Sequence, residues 1–185
     1  MKATKRARLS GILILLLLAA CSPVPRQQEQ GAEADWKEVL TEEMPLLGHR
    51  NWIVVTDMAY PLQTNLGITT LLASEPYDEV IRTVDSLIKN APHVFAHIYQ
   101  DREQQALSEE LAPGWDDYKA RMNEVLDLGD VQFVPHEELI KRLDSVSNLC
   151  KVVIIKTTLT IPYTSTFFEL DCNYWDAERE TLICE

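Results

Sequence analysis

The chain alternates short apolar runs with longer segments in which apolar residues recur every three or four positions. The run over residues 52–55, WIVV, has no polar member, as expected of a central strand that is buried on both faces. Similar runs predict further strands, at residues 68–73, 94–99, 131–134, 152–155 and 167–170.

Helical periodicity fills the intervals between these strands. Asp35 can cap a short first helix, and apolar residues spaced 3.6 positions apart predict a helix over residues 78–89. Residues 104–128 are predicted to be helical with an interruption at Pro113-Gly114, and His136 opens another amphipathic helix. Alternating strands and helices predict an α/β fold of three layers, with helices on both faces of a mainly parallel sheet.

The N-terminal residues lie outside this pattern. Residues 1–20 combine early basic residues with an apolar run and end in Leu-Ala-Ala before Cys21, which looks like a bacterial lipoprotein signal. That likeness implies cleavage before Cys21 and attachment of acyl chains such as palmitate to it. A plain secretory signal is the alternative. Ser22, where Asp would favour the inner membrane, predicts a lipid-anchored protein of the outer membrane.

Two further parts follow the signal. Residues 21–34 are rich in Pro, Gln, Glu and Ala, contain no large apolar residue beyond Val24, and are predicted to be a tether that leads away from the membrane. Residues 35–185 are long enough for one domain with a single core.

Acidic residues dominate the chain after the signal. It contains 13 Lys and Arg residues against 29 Asp and Glu residues, a formal charge of −16. Such a surface repels phosphate backbones and anionic headgroups, so the composition argues against nucleic acid as a partner. We expect a neutral or cationic partner, and attachment to the membrane through the acyl chains.

Three cysteines remain after Cys21, and an exported protein meets an oxidising compartment. Cys172 and Cys184 lie close together in the C-terminal part of the chain and are the predicted disulfide, with free thiols as the open alternative. Cys150 stands beside the apolar run over residues 152–155 and is predicted to be a small buried side chain.

Two titratable residues flank the first strand. Asp57 follows it, at the carboxyl edge where ligands collect in open α/β sheets, and His49 lies on the turn before it. An imidazole and a carboxylate can form a general acid/base pair if the fold brings them together. The alternative is that His49 is an exposed loop residue and Asp57 only forms a turn.

The sequence offers no cofactor site. Neither GxGxxG nor GxxxxGK[ST] occurs, so we expect no nucleotide cofactor. His93 and His97 have the spacing of a metal pair, but no third ligand follows nearby, and we expect no metal either.

Four features stand at predicted strand ends and helix starts: Gly48-His49, Asp57, His136 and Pro162-Tyr163. Their order and spacing resemble the family of D-ribose pyranase and L-fucose mutarotase, which are small cofactor-free sugar mutarotases with a three-layer α/β fold. The family's GH(x)7D motif matches Gly48, His49 and Asp57, and the resemblance covers about residues 47–170.

The resemblance implies a role for each of these residues. His49 would be the proton donor, Asp57 and His136 would be substrate ligands, and Tyr163 with Ser165 would form a C-terminal sugar-binding segment. The reaction would interconvert ring forms or anomers of a ribose- or fucose-like monosaccharide by general acid/base ring opening, without a cofactor. The ring-like oligomers of the family, with pockets near subunit contacts, imply a homo-oligomer.

The chain departs from the family at three points. Ser165 stands where the family usually has Asn, Asn51 stands where an acidic residue is frequent, and the family is typically cytosolic whereas this chain is exported. A non-catalytic carbohydrate-binding lipoprotein of the cell envelope and an envelope scaffold without a ligand are therefore open alternatives.

Overall fold

A computed structural model describes residues 35–127 and 129–184, which form five α-helices and six β-strands. In chain order the elements are α1 (Trp36–Glu43), β1 (Trp52–Thr56), β2 (Ile68–Leu72), α2 (Tyr77–Lys89), β3 (Val94–Asp101), α3 (Trp115–Val125), β4 (Val131–Val134), α4 (His136–Val146), β5 (Val152–Lys156), β6 (Thr166–Cys172) and α5 (Ala177–Cys184). Short 3₁₀ helices cover Met44–Leu46 and Arg102–Ala106.

The predicted signal and tether, residues 1–34, lie outside the described residues, and so does the predicted lipidation site Cys21. Within the ranges that the structure describes, no helix is both long and apolar enough to cross a membrane.

The six strands form one sheet in the order β2-β5-β1-β6-β3-β4. β1 and β2 both pair in parallel with β5, and β3 pairs in parallel with β4. β6 lies between β1 and β3 and runs antiparallel to both. Five strands therefore share one direction, which confirms the predicted mainly parallel sheet.

The side chains of β1 alternate between two apolar layers, because successive residues of a strand point to opposite faces. Ile53 and Val55 belong to a core that includes buried residues of α1, α2 and α3. Trp52 and Val54 belong to a second core, which α4 covers with Leu139 and Leu143. All five residues of β1 are buried, which confirms a central strand covered on both faces and a three-layer architecture.

A buried hydroxyl ties the helical layer to the carboxyl edge of the sheet. The Tyr77 hydroxyl, at the start of α2, lies within hydrogen-bond distance of the carbonyl oxygens of Val55 and Thr164 and of the Thr166 hydroxyl. The Tyr118 hydroxyl of α3 donates to the same Thr164 oxygen at 3.3 Å. These contacts fix the segment before β6, which contributes to the candidate site described below.

Two helical predictions differ from the structure. Residues 107–114 form turns instead of helix, because both carboxylate oxygens of Glu109 accept backbone hydrogen bonds, at 2.7 Å from Gly114 and 3.1 Å from Asp116, and so cap α3. Gly114 has φ +92, which favours glycine, and α3 starts directly after it, at the predicted interruption. Helix α5 was not predicted.

Gly67, just before β2, is a position where a side chain cannot fit. A Cβ there would lie 2.0 Å from the Ser147 carbonyl oxygen and 2.9 Å from that of Cys150. We expect Gly67→Ala to destabilise the fold by about 1–3 kcal/mol, measured by urea unfolding, because backbone atoms on both sides would have to move. Gly48→Ala is the matched control, since nothing lies within 4 Å of its Cβ position. Equal midpoints for the two variants would contradict the close packing.

Candidate functional site

A cavity of about 580 Å³ opens at the carboxyl edge of the sheet. The loop after β1 contributes residues 57–61, the first turns of α4 contribute His136, Glu137 and Ile140, and the segment before β6 contributes residues 160–163. These segments meet because parallel strands end at one edge, and the antiparallel β6 begins there. The volume lies in the range typical of small-molecule sites.

Three of the predicted site residues line this cavity: Asp57, His136 and Tyr163. They are far apart in the sequence and come from three separate segments. The structure therefore brings these three residues to one cavity, whereas the predicted site residues His49 and Ser165 do not line it.

His136 is the first residue of α4 and is held at two points. Its backbone nitrogen donates to Glu103 Oε2 at 3.0 Å, and its ring Nδ1 lies 3.1 Å from Asp101 Oδ1. The carboxylate of Glu103 suits the N-terminus of α4, where the backbone dipoles favour negative charge. The ring is thus oriented by Asp101, the last residue of β3, and the backbone by Glu103, just after it.

Asp101 is the buried charge of the site. It ends β3, none of its surface is exposed, and its Oδ2 has no hydrogen-bond partner within residues 35–127 and 129–184. Burial raises the pKa of Asp101 to about 6, against the opposing effect of the neighbouring His136. The negative charges of Glu103 and Asp57 act in the same direction as burial.

Asp57 is half-buried and bends the chain after β1. Its Oδ1 accepts a hydrogen bond from the backbone nitrogen of Ala59 at 2.7 Å, so part of its acceptor capacity is used in forming the turn. Beyond this turn, the buried phenol of Tyr60 forms another wall of the cavity, and burial raises the pKa of Tyr60.

Tyr163 stands opposite His136 with an unusual backbone. Its φ is +58, a left-handed conformation that bulky residues rarely adopt and that surrounding contacts must maintain. The ring is 41% exposed and meets the His136 ring edge to face, with centroids 5.5 Å apart. Ser165, by contrast, is 1% exposed and does not line the cavity.

His49 lies at the other edge of the sheet. It precedes β1 whereas Asp57 follows it, and the five residues of β1 span about 16 Å at roughly 3.3 Å per residue. His49 Nδ1 lies 2.6 Å from Asp171 Oδ1, and its exposed ring lines a different cavity of about 510 Å³. Within one chain the structure does not bring His49 together with Asp57 and His136.

Asp171 contacts two imidazoles, since His97 Nε2 lies 3.3 Å from its Oδ2. Burial acts to raise the pKa of Asp171, but hydrogen bonds from the Cys172 backbone, His49 and His97 outweigh it and lower the pKa. His93 binds elsewhere, to the carbonyl oxygen of Leu47 at 2.9 Å. In the described part of the chain, no group of three or more His, Cys, Asp or Glu residues is arranged to hold a metal ion.

The predicted disulfide is not formed in the structure. Cys172 lies at the end of β6 and Cys184 lies on α5, both as free thiols, and the Cys184 thiol instead contacts Glu180 Oε1 at 3.8 Å. Cys150 is also free and is only half-buried, so it is more accessible than the sequence predicted.

Asp101 and Glu103 are site residues that the sequence analysis missed. The signal was present, because Asp101 follows the apolar strand over residues 94–99 just as Asp57 follows β1. Because the residues from 104 onward are predicted to be helical, the strand end at Asp101 is not recognised as a ligand position.

Several solved structures resemble the chain. RbsD from Bacillus subtilis, complexed with D-ribose, matches 72% of this chain and 91% of its own at 17% identity and a TM-score of 0.47. The fucose mutarotase from Streptococcus pneumoniae, in complex with L-fucose, matches 77% and 97% at 14% identity and a TM-score of 0.48. FucU from Bifidobacterium longum matches 72% and 94% at 13% identity and a TM-score of 0.49.

No model of a protein family matches the sequence. No curated protein matches it either.

Asp101→Asn should change how stability depends on pH. Asp101 binds its proton more tightly in the folded protein than in the unfolded chain, where its pKa is about 3.9, so its contribution to stability falls as pH rises from about 4 through 6. The variant should therefore gain up to about 3 kcal/mol relative to the parent between pH 4 and pH 7, measured by urea unfolding.

Asp117→Asn is the control for this measurement, because the Asp117 side chain is 71% exposed. A stability difference between Asp101→Asn and the parent that stays constant across this pH range would contradict a buried, desolvated carboxyl group at residue 101.

Proposed function

We propose that the protein is a sugar mutarotase that interconverts ring forms or anomers of a free ribose- or fucose-like monosaccharide. The observation that carries this proposal is the convergence of Asp57, His136 and Tyr163 on one cavity. Their residue types and order are those of the GH(x)7D-containing family that the sequence resembles.

The chemistry of ring opening fits these residue types. A hemiacetal opens when a proton reaches the ring oxygen and another leaves the anomeric hydroxyl, and closure on the other face or through another hydroxyl reverses both transfers. Imidazole groups perform such transfers near neutral pH, and general acid/base catalysis typically contributes about 10²–10⁴-fold.

The cavity offers polar and apolar contacts for a sugar ring. The Asp57 carboxylate has acceptor capacity beyond its bond to Ala59, and the Tyr163 phenol supplies a donor or acceptor. Ile140 and Ile161 present apolar surface for the C–H groups of a sugar. Of the two residues that the resemblance assigns to the C-terminal sugar-binding segment, Tyr163 lines the cavity and Ser165 does not.

His49 fits the role of proton donor only if a second copy of the chain presents it to the cavity. It lies beyond the opposite end of β1 from Asp57, so the two cannot meet within one copy. A homo-oligomer with shared pockets is therefore part of this proposal.

The proposed location of the protein is the outer membrane of the cell envelope. Residues 1–20 would direct export, Cys21 would carry the acyl chains, and the tether over residues 21–34 would hold the domain at the outer membrane. The protein would then act on free sugars in the cell envelope.

Saturation-transfer NMR on ribose, fucose and related free sugars tests the activity. The full-length protein in detergent should accelerate exchange between ring forms, and Asp57→Asn should weaken apparent affinity more than turnover, because an amide keeps part of the hydrogen bonding. Asp117→Asn, an exposed carboxylate on α3, is the control and should leave both unchanged. Binding without accelerated exchange would indicate a carbohydrate-binding protein, and no binding would indicate a scaffold.

His49→Ala should abolish the accelerated exchange and change stability by no more than about 0.5 kcal/mol, because the exposed imidazole adds little packing. If pockets are shared between copies, mixing His49→Ala with Asp57→Ala should restore activity, since some pockets then contain both native residues.

Light scattering of residues 35–185 should show an oligomer. A monomer, or full activity in purified His49→Ala, would contradict the role of His49.

A further inference from the structure

We propose that Asp101 is a positioning residue that holds the His136 imidazole for proton transfer, so that His136 is itself a catalytic base and not only a substrate ligand. This inference rests on the proposed function and deepens it. It starts from geometry, namely a fully buried carboxylate placed directly behind the one imidazole that lines the cavity.

The geometry selects which ring nitrogen faces the substrate. Asp101 Oδ1 lies 3.1 Å from Nδ1 of His136. An ionised carboxylate can only accept hydrogen bonds, so in the neutral ring Nδ1 carries the proton and Nε2 keeps its lone pair. Within the described residues no protein hydrogen bond to Nε2 is present, so this nitrogen is available to a molecule in the cavity.

Among the described residues, the Asp101 side chain makes no hydrogen bond other than the one to His136. Its Oδ2 is buried without a hydrogen-bond partner among the described residues, and a buried polar atom left in this state is costly. Replacing such a side chain with a neutral one would favour the fold at neutral pH. A retained cost of this kind at a cavity is typical of residues that serve function at the expense of stability.

The other charged groups around the pair and the cavity that it faces come from four elements. Glu103, after β3, binds the backbone of His136, and Asp57, after β1, adds negative charge near Asp101. Glu137 follows on α4 itself, and Lys156 at the end of β5 donates to the Tyr60 carbonyl oxygen at 2.5 Å. These acidic groups outnumber the single lysine, Lys156. The excess negative charge favours binding of a proton by the Asp101–His136 pair as pH falls.

The proposed step moves one proton and breaks one ring bond. Nε2 of His136 takes the proton from the anomeric hydroxyl, and the electron pair of that O–H bond forms the carbonyl double bond. The bond between the anomeric carbon and the ring oxygen breaks, and the ring oxygen takes a proton from His49 of a second copy. Nothing is oxidised or reduced, and closure of the ring returns both protons.

Protonation of Asp101 would reverse the selection of nitrogen. A neutral carboxyl group can donate to Nδ1, which places the ring proton on Nε2 and removes the base from the cavity. Burial raises the pKa of Asp101 to about 6, so the pair should lose activity as pH falls through about 6. Because the two groups interact, this apparent value belongs to the pair.

The experiment compares the full-length protein with Asp101→Asn and Glu103→Gln. Glu103 contacts the His136 backbone and not its ring, so Glu103→Gln is the matched control for loss of a neighbouring carboxylate. Asp101→Asn should lower kcat for sugar ring opening by about 10²-fold or more, change KM little, and move the acidic limb away from pH 6, because the coupled Asp101–His136 pair no longer titrates as a unit. Glu103→Gln should keep that limb.

A second readout needs no turnover. The chain has four histidines, so ¹⁵N-histidine NMR can assign His136 by comparison with His136→Gln. At pH 7.5 the Nδ1–H tautomer should dominate in the parent and in Glu103→Gln, and Asp101→Asn should shift the ring towards Nε2–H. An Nε2–H tautomer in the parent would overturn the proposal.

The outcomes separate the two proposals. An active parent whose pH profile and tautomer are unchanged by Asp101→Asn would overturn the role of Asp101 and leave the mutarotase activity standing. A parent that binds sugar but accelerates no exchange would overturn the mutarotase activity and, with it, proton transfer by His136, whatever its tautomer.

Discussion

The antiparallel pairing of β6 with β1 on one side and β3 on the other is the constraint on which the architecture depends. Without β6, the parallel group β2-β5-β1 and the parallel pair β3-β4 would not share a sheet. Because β6 runs against its neighbours, it begins at the edge where they end. The segment before it therefore meets the loop after β1 and the start of α4, and a cavity of about 580 Å³ forms between elements that are distant in the sequence.

Electrostatics then sets the character of that cavity. Asp101 is desolvated at the end of β3, Glu103 sits at the start of α4, and Asp57 stands across from them. A local excess of carboxylates, on a chain with a formal charge of −16 after the predicted signal, opposes phosphorylated or otherwise anionic sugars. Under the proposed function, this environment favours a neutral monosaccharide over an anionic one.

The GH(x)7D motif has a geometric meaning in this fold. Its His and Asp bracket a five-residue buried strand, so they occupy opposite edges of one sheet. Residues eight positions apart in a helix would lie about 12 Å apart, whereas across an extended strand they are separated by about twice that. An arrangement in which both act on one substrate must involve two copies of the chain. The paired contact of Asp171 with His49 and His97 keeps that imidazole ordered at the other edge.

The sequence by itself determined the strands, the three-layer α/β class and the positions of Asp57 and His136, because periodicity and chain breaks are local properties. Only the tertiary structure decided that Asp101 lies behind His136, that Ser165 is buried and that Cys172 and Cys184 are free thiols. It also decided that residues 107–114 form turns, since that depends on the reach of the Glu109 side chain. These outcomes depend on strand order, chain direction and burial. Each is set by contacts between segments that no window of the sequence contains.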